Sequence, residues 1–317
     1  MASFYGIKGK NLQRYYREKL SEYQEWEHRL TASKGLVFKE NIGPRLSIDE
    51  TSLSQGELYT IITNKDAKGK KGSLVAIIEG TKSEVIIPFI KSLPLRERNK
   101  VLEITLDLAG NMALIAKKCF PNAVQVIDRF HVQQLASQAL QEIRIKHRWE
   151  ALDQENNAIE KAKAAGKTYN PDILENGDTL KQLLARSRYL LYKKQKDWRP
   201  GQEQRALILF ERYPDIKKAY EMAQELSWIF TNTKEKVYGL TRLARWCEKV
   251  EQSGFKSFNT ISRTIHAHYQ NILNYFDNRS TNASAESFNA KIKGFRAQHR
   301  GVRNVNFFLF RLAKLYA

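Results

Sequence analysis

Hydrophobic periodicity changes twice along this 317-residue chain, and the two changes limit the architectures open to it. From position 45 the apolar residues alternate with a period of two or run unbroken, so 45–51, 57–63 and 73–79 read as three strands. A lysine- and glycine-rich turn, 64–72, joins the second to the third, and such short connections make successive strands antiparallel. A helix over 83–92 stops before Pro94. Residues 101–106 then read as a strand, 110–119 as a helix stopped before Pro121, 123–127 as a fifth strand, and a helix follows from Asp128. The order β-β-β-α-β-α-β-α gives an α/β fold, a mixed five-stranded sheet with helices on its faces.

The second change comes near position 132. Alternation disappears and Leu, Ala, Lys, Gln and Glu dominate, which predicts an all-helical block with helices near 132–164, 178–194, 202–212, 214–230, 233–252 and 257–275. Residues 280–317 read as two more helices. Thr281 or Asn282 caps the first, and Gly301 separates it from a strongly apolar second. Ahead of the sheet, Leu12, Tyr15, Tyr16, Leu20, Tyr23, Trp26 and Leu30 recur at helical spacing, which predicts one helix over 11–32, a packing or oligomer arm. The expected divisions are therefore 1–44, an N-terminal helical arm; 45–132, the first part of the sheet domain; 133–275, a helical insertion; and 276–317, the return of the chain to that domain.

Charge narrows the partner. Lys and Arg number 53 against 34 Asp and Glu, a net +19, which implies a polyanion: nucleic acid or an anionic surface. The excess is steepest over 276–317, where eight Lys and Arg meet two acids. Cys119 and Cys247 are too few and too far apart for a disulfide framework or a zinc ribbon, and both sit in apolar contexts as core thiols. No apolar run has the length of a signal peptide or a membrane span, so a cytoplasmic, nucleoid-associated protein is expected.

Asp49 lies inside the first strand among Leu46, Ile48 and Leu53, and Asp107 follows the fourth strand directly. A carboxylate in a core strand is costly unless it is paired or binds a cation, and strand ends are where α/β sheets place their sites. The proposed order makes these strands neighbours, which brings the two acids together. Oxygen-only ligands suit magnesium or manganese. Glu50 alternates to the opposite face from Asp49 and is not expected to be a ligand. Asp128 follows the fifth strand, opens the next helix and can cap it, with His131 in the first turn.

The stretches 46–51 (Leu-Ser-Ile-Asp-Glu-Thr), 104–107 (Ile-Thr-Leu-Asp), 120–132 (Phe-Pro-Asn-Ala-Val-Gln-Val-Ile-Asp-Arg-Phe-His-Val) and 282–293 (Asn-Ala-Ser-Ala-Glu-Ser-Phe-Asn-Ala-Lys-Ile-Lys) together resemble the bacterial insertion-sequence DDE transposases of the ISL3 group. The resemblance covers about 45–317, the helical block matching in kind rather than in motif. It implies a ribonuclease-H-like fold interrupted by the helical insertion. It implies Asp49, Asp107 and Glu286 as catalytic, metal-binding carboxylates holding two Mg2+ or Mn2+ ions. Asp128 and His131 match the family's Asp-x-x-His signature, and Asn289 supports the third acid. Asp128 competes with Asp107 as second acid; Asp107 is preferred because it ends the fourth strand. Arg129, Lys291, Lys293, Arg296, Arg300 and Arg303 are expected to touch DNA phosphates, which fix position without reading sequence.

The expected activity is cleavage and strand transfer at insertion-sequence ends, with transposon and target DNA as partners and a homodimer or larger synaptic complex as the working form. An inactive DNA-binding relative and another ribonuclease-H-like nuclease are the competing readings. The intact acid set argues against the first, and the long insertion before the third acid argues against the second. Relatives of this group carry an N-terminal DNA-reading region with a zinc module. Only 44 residues precede the first strand here, without a cysteine, so a companion protein supplying that region is a further expectation.

Overall fold

The run Leu-Val-Ala-Ile-Ile at 74–78 is buried along its whole length, the pattern of a strand covered on both faces. It belongs to a six-stranded sheet whose strands are β1 (Gly35–Val37), β2 (Arg45–Ser52), β3 (Leu58–Asn64), β4 (Leu74–Glu79), β5 (Glu103–Leu106) and β6 (Val124–Ile127). The computed structural model describes residues 4, 6–53, 56–298 and 301–317. They fall into two units, Met1–Asp128 with Asn278–Ala317, and Arg129–Asp277.

In the first unit the spatial order is β1-β4-β3-β2-β5-β6. β1, β4, β3 and β2 pair antiparallel, while β5 and β6 continue from β2 in parallel. The expected five strands are all present. The sheet gains a sixth, β1, because Gly35-Leu-Val37 pairs with β4 over three residues, too few for a period to register in sequence. α2 (Ser83–Lys91), α3 (Leu95–Arg98) and α4 (Gly110–Cys119) form the crossovers between β4, β5 and β6. α2 packs on β4 and β1, and α4 on β5 and β6. Another sheet face is covered by α13 (Ala283–Gln298) and α14 (Val305–Tyr316), whose Phe288, Ile292, Phe308, Leu309 and Leu312 share a core with Leu53, Ile61 and Ile77. Burying a side chain of that size stabilises by roughly 1.5–3 kcal/mol, so the apolar last helix finds its partner within its own unit.

The N-terminal segment departs from the expected single helix. α1 (Gly9–Tyr15) runs into one π turn at Tyr16–Leu20, and Glu22 takes a left-handed φ of 58°, which stops the helix. The aromatic residues that suggested a continuous stripe instead turn back onto the last helix: Tyr23 lies 5.1 Å from Phe307 and 5.4 Å from Phe310, ring centre to ring centre.

The second unit is helical: α5 (Arg129–Ala164), α6 (Leu180–Arg186), α7 (Pro200–Arg212), α8 (Pro214–Asn232), α9 (Lys236–Ser253), α10 (Lys256–Ala267), α11 (Tyr269–Leu273) and α12 (Tyr275–Asn278), the last ending at the boundary. α5 has 36 residues, roughly 54 Å at 1.5 Å per residue, and α6, α8 and α10 pack along it. Proline at the first position starts α7 and α8, and Gly254, φ 76°, ends α9. The core holds Trp246, Phe230 and Phe258. The Trp246 indole donates to the Met222 carbonyl at 2.9 Å and that of Trp198 to the Leu190 carbonyl at 2.9 Å, so both are structural; Trp228 is half exposed beneath the Arg242 guanidinium. Where a single helix was expected over 257–275 the chain breaks into α10, α11 and α12. Over 178–194 it makes α6 and then a 3-10 turn at Leu190–Tyr192.

Cys119 and Cys247 are buried and unbridged, and burial pushes the Cys119 thiol up to about 11, as befits a core thiol. Among the described residues no helix is long and apolar enough to cross a membrane.

Candidate active site

β2 is central, with β3 on one side and β5 on the other. Its parallel register with β5 pairs Arg45 with Glu103, Leu46 with Ile104 and Ser47 with Thr105. Two steps further along each chain come Asp49 and Asp107, so the register sets the two acids level with each other just past the end of β5. Asp49 is half-buried. Its Oδ1 accepts the Glu50 backbone N–H at 2.8 Å and its Oδ2 accepts from Asn289 Nδ2 at 2.7 Å. Asp107, also half-buried, accepts the Ala109 N–H at 2.8 Å, an Asx turn that leads the chain from β5 into α4.

Glu50 joins these two electrostatically. Burial raises its carboxyl above the ordinary value, and the charges of Asp107 and then Asp49 raise it further. Strand alternation assigned Glu50 to the other face. Alternation fixes where the Cβ points, but charge acts around the edge of a sheet whose neighbouring strand, β5, has already ended.

Glu286 stands exposed in the first turn of α13. Asn289, three residues on, shares its side of the helix and donates from Nδ2 both to Asp49 and to the Glu50 carbonyl at 3.2 Å. Asn289 is 7% exposed, and among the described residues its Oδ1 has no partner. The start of the helix is tied down at two points. Asn282, fully buried, donates its side-chain Nδ2 to the Ile48 carbonyl at 3.2 Å and its backbone N–H to Asp128 Oδ2 at 2.9 Å. The Asn282 carbonyl then accepts the Glu286 N–H at 2.9 Å. Asp128 is itself fully buried at the end of β6, an acceptor for the returning chain.

A second buried cluster braces the same return. Lys65, just after β3, donates to Ser280 Oγ at 2.6 Å, Thr105 Oγ1 at 2.8 Å and Glu103 Oε1 at 3.3 Å. Glu103 also accepts from Ser280 and, at 3.2 Å, from Asn278 Nδ2. Burial pulls the Lys65 ammonium below its ordinary value, opposed by Glu103. Lys65 carried no signal in the sequence, because its partners lie 38, 40 and 215 residues away; Asn282 was read only as a cap, because Asp128 and Ile48 lie over 150 residues away.

The basic residues divide. Lys291 donates to the Gly69 carbonyl at 2.7 Å and so holds the tip of the β3–β4 hairpin. Lys293 and Arg303 are exposed and Arg296 is half-buried. Arg300 lies outside the described residues. Arg129 and His131 open α5 in the helical unit, both half-buried. The Arg129 guanidinium lies 4.9 Å from the centre of the Phe130 ring and 5.7 Å from that of Tyr275. Among the described residues no three His, Cys, Asp or Glu side chains already converge as a metal cage.

Residues 46–312 match the sequence profile of a family described as a transposase, the ISL3 group of DDE transposases. The transposase for insertion sequence element IS1557 of Mycobacterium tuberculosis is 24% identical over 253 residues, which cover 78% of this chain and 54% of that protein. The transposase for insertion sequence element IS1001 of Bordetella parapertussis is 21% identical over 270 residues, 84% of this chain and 59% of the other. The chain thus spans a little over half the length of these curated relatives. With the profile running from the second residue of β2 to the middle of α14, the chain belongs to the ISL3 family of DDE transposases.

Proposed function

We propose that the sheet-bearing unit is a ribonuclease-H-like catalytic domain in two parts, 45–132 and 276–317, with 133–275 as its helical insertion. In this reading Asp49, Asp107 and Glu286 are the carboxylates of a site that cuts DNA at insertion-sequence ends and joins the freed 3′ end to target DNA. One observation carries it: the Asn289 hydrogen bond to Asp49 Oδ2, which sets the helix of Glu286 against the strand of Asp49.

The donor chemistry fits a hard divalent cation. The acids supply only oxygen, the charges of Asp107 and Asp49 both raise the Glu50 carboxyl, and among the described residues the buried Asn289 Oδ1 beside Asp49 has no partner. Asp49, Asp107 and Glu286 would hold two Mg2+ or Mn2+ ions. Such ions, when bound, activate a hydroxyl nucleophile and neutralise charge on the phosphoryl oxygens. The chain's own residues do the rest. Asn289 orients Asp49, the Asx turn at Ala109 orients Asp107, and Asn282 fixes the turn of helix that bears Glu286. Lys293, Arg296 and Arg303 hold the phosphate backbone. A homodimer or larger synaptic complex and a companion DNA-reading protein complete the proposed assembly, in a cytoplasmic, nucleoid-associated setting.

The environments of the two competing acids favour Asp107 over Asp128, since Asp128 is fully buried and engaged by the Asn282 N–H. Asp107→Ala is expected to abolish Mg2+-dependent cleavage of an end-bearing duplex while leaving the thermal midpoint near that of the wild type. Near-normal cleavage by that variant rules the assignment out.

A further inference from the structure

α1 has no buried residue, so the core does not explain why the chain keeps it in place. It is held from its C-terminal side by aromatic contacts: Tyr16 meets Phe307 edge to face at 6.3 Å, and Tyr23 follows onto the same ring. The helical spacing of Lys10, Arg14 and Arg17 gives this segment one basic side. That side lines a cavity of about 450 Å³ whose other wall carries Arg303, Arg311 and Phe307. No Asp or Glu lines it among the described residues. Arg311 lies over Tyr16 at 5.9 Å and over Phe295 at 5.0 Å, and Arg17 is shared with Glu18 at 2.9 Å. Lys10, Arg14 and Arg303 are exposed. Like charges gathered at one concavity repel one another, and an anion entering it is attracted to each of them, which offsets that repulsion.

We propose that the cleft between α1 and the start of α14 is a binding site for the phosphodiester backbone of DNA, which shares Arg303 with the backbone contacts proposed above and extends them away from the acids onto α1. The proposal rests on the DNA-acting reading given above and adds α1 to the places where the chain grips the duplex. A phosphodiester track fits better than a single small anion, because the cations come from two walls and a DNA strand presents a charge roughly every 3.4 Å. The segment that looked like a packing arm then has a function of its own: it is the outer jaw of a backbone clamp.

The test compares two double charge reversals in the full chain, each removing the same net charge. Lys10→Glu/Arg14→Glu alters the cleft, and Lys161→Glu/Lys163→Glu alters an exposed stretch of the helical unit. Affinity for a random-sequence duplex is measured by fluorescence anisotropy across a salt series. The cleft variant is expected to bind roughly tenfold or more weakly than the control, with a salt slope smaller by about 1.8 for two lost phosphate contacts. Equal losses in the two variants overturn the proposal, because the general field would then suffice. Unchanged DNA binding with lost binding to phosphatidylserine vesicles overturns it in favour of a lipid surface. Lys10→Gln/Arg14→Gln guards against misfolding of the arm. With a wild-type thermal midpoint, a smaller loss in the same direction supports the site, and no loss counts against it. Asp49→Asn keeps the catalytic reading separate. Loss of Mg2+-dependent cleavage at wild-type DNA affinity upholds that reading whichever way the cleft experiment falls.

Discussion

At neutral pH the Glu50 carboxyl is opposed by partial burial and by the charges of Asp107 and Asp49. Its folded pKa therefore lies above its ordinary 4.5. Its stabilising contribution is complete below the unfolded value and is lost as pH rises through the folded one. Glu50→Gln is expected to melt higher than the wild type at neutral pH, with the gain vanishing below about pH 4, where both side chains are neutral. A constant difference across that range, read by thermal melts, would show that charge is not the cause. Asn289→Ala removes the donor to Asp49 Oδ2 and the Glu50 carbonyl. Residues that orient metal-binding carboxylates typically change activity by about 10–100-fold, so cleavage should fall by that order and need more Mg2+ for half-saturation. The placement of Asp49 and Asp107 on neighbouring strands was legible in the sequence, because Asp49 is a carboxylate inside an apolar strand and Asp107 directly follows another. The reach of Glu50 toward Asp107 was not, since alternation speaks of faces and says nothing about the edge where a neighbouring strand stops.

The elements of this chain depend on a few buried polar ties for their mutual placement. Lys65 joins the end of β3, strand β5 and the segment before α13 through Glu103, Thr105 and Ser280. The Lys65 and Glu103 side chains are only 13% and 7% exposed. Removing one member of such a pair strands the other charge, at a cost of about 3 kcal/mol. Lys65→Met should lose roughly that much stability in urea, and Lys65→Met/Glu103→Leu should recover most of it. Failure of the double variant to recover would make Ser280 and Thr105, not the charge pair, the important partners. The elements themselves were largely readable: five strands, the crossover helices α2 and α4 and the two closing helices follow from period and from proline and glycine stops. The exceptions have local causes. β1 is three residues long, and the helix expected over 11–32 is cut at Glu22, where packing of Tyr23 against Phe307 and Phe310 overrides a helical stripe.

At the scale of the molecule, the charge concentrated over 276–317 and the basic side of α1 belong to the same unit as the acids. The helical unit has its own core around Trp246, Phe230 and Phe258. Excised as residues 129–277, it is expected to give a helical circular-dichroism spectrum and a cooperative melt. A noncooperative melt would mean that it does not fold independently of the sheet unit. The reverse excision is different in kind, because the sheet unit is discontinuous in sequence. Its α13 reaches Asp49 through Asn289 and is anchored to Asp128 and Ile48 through Asn282, yet it is made only after the whole of 129–277. During synthesis the strands that place Asp49 and Asp107 leave the ribosome long before Asn289 and the proposed third acid, Glu286, exist. A chain interrupted anywhere ahead of α13 carries Asp49 and Asp107 without the proposed third acid. On the proposed reading, the order of the sequence acts as a clock, withholding the complete acid set from unfinished copies of the protein.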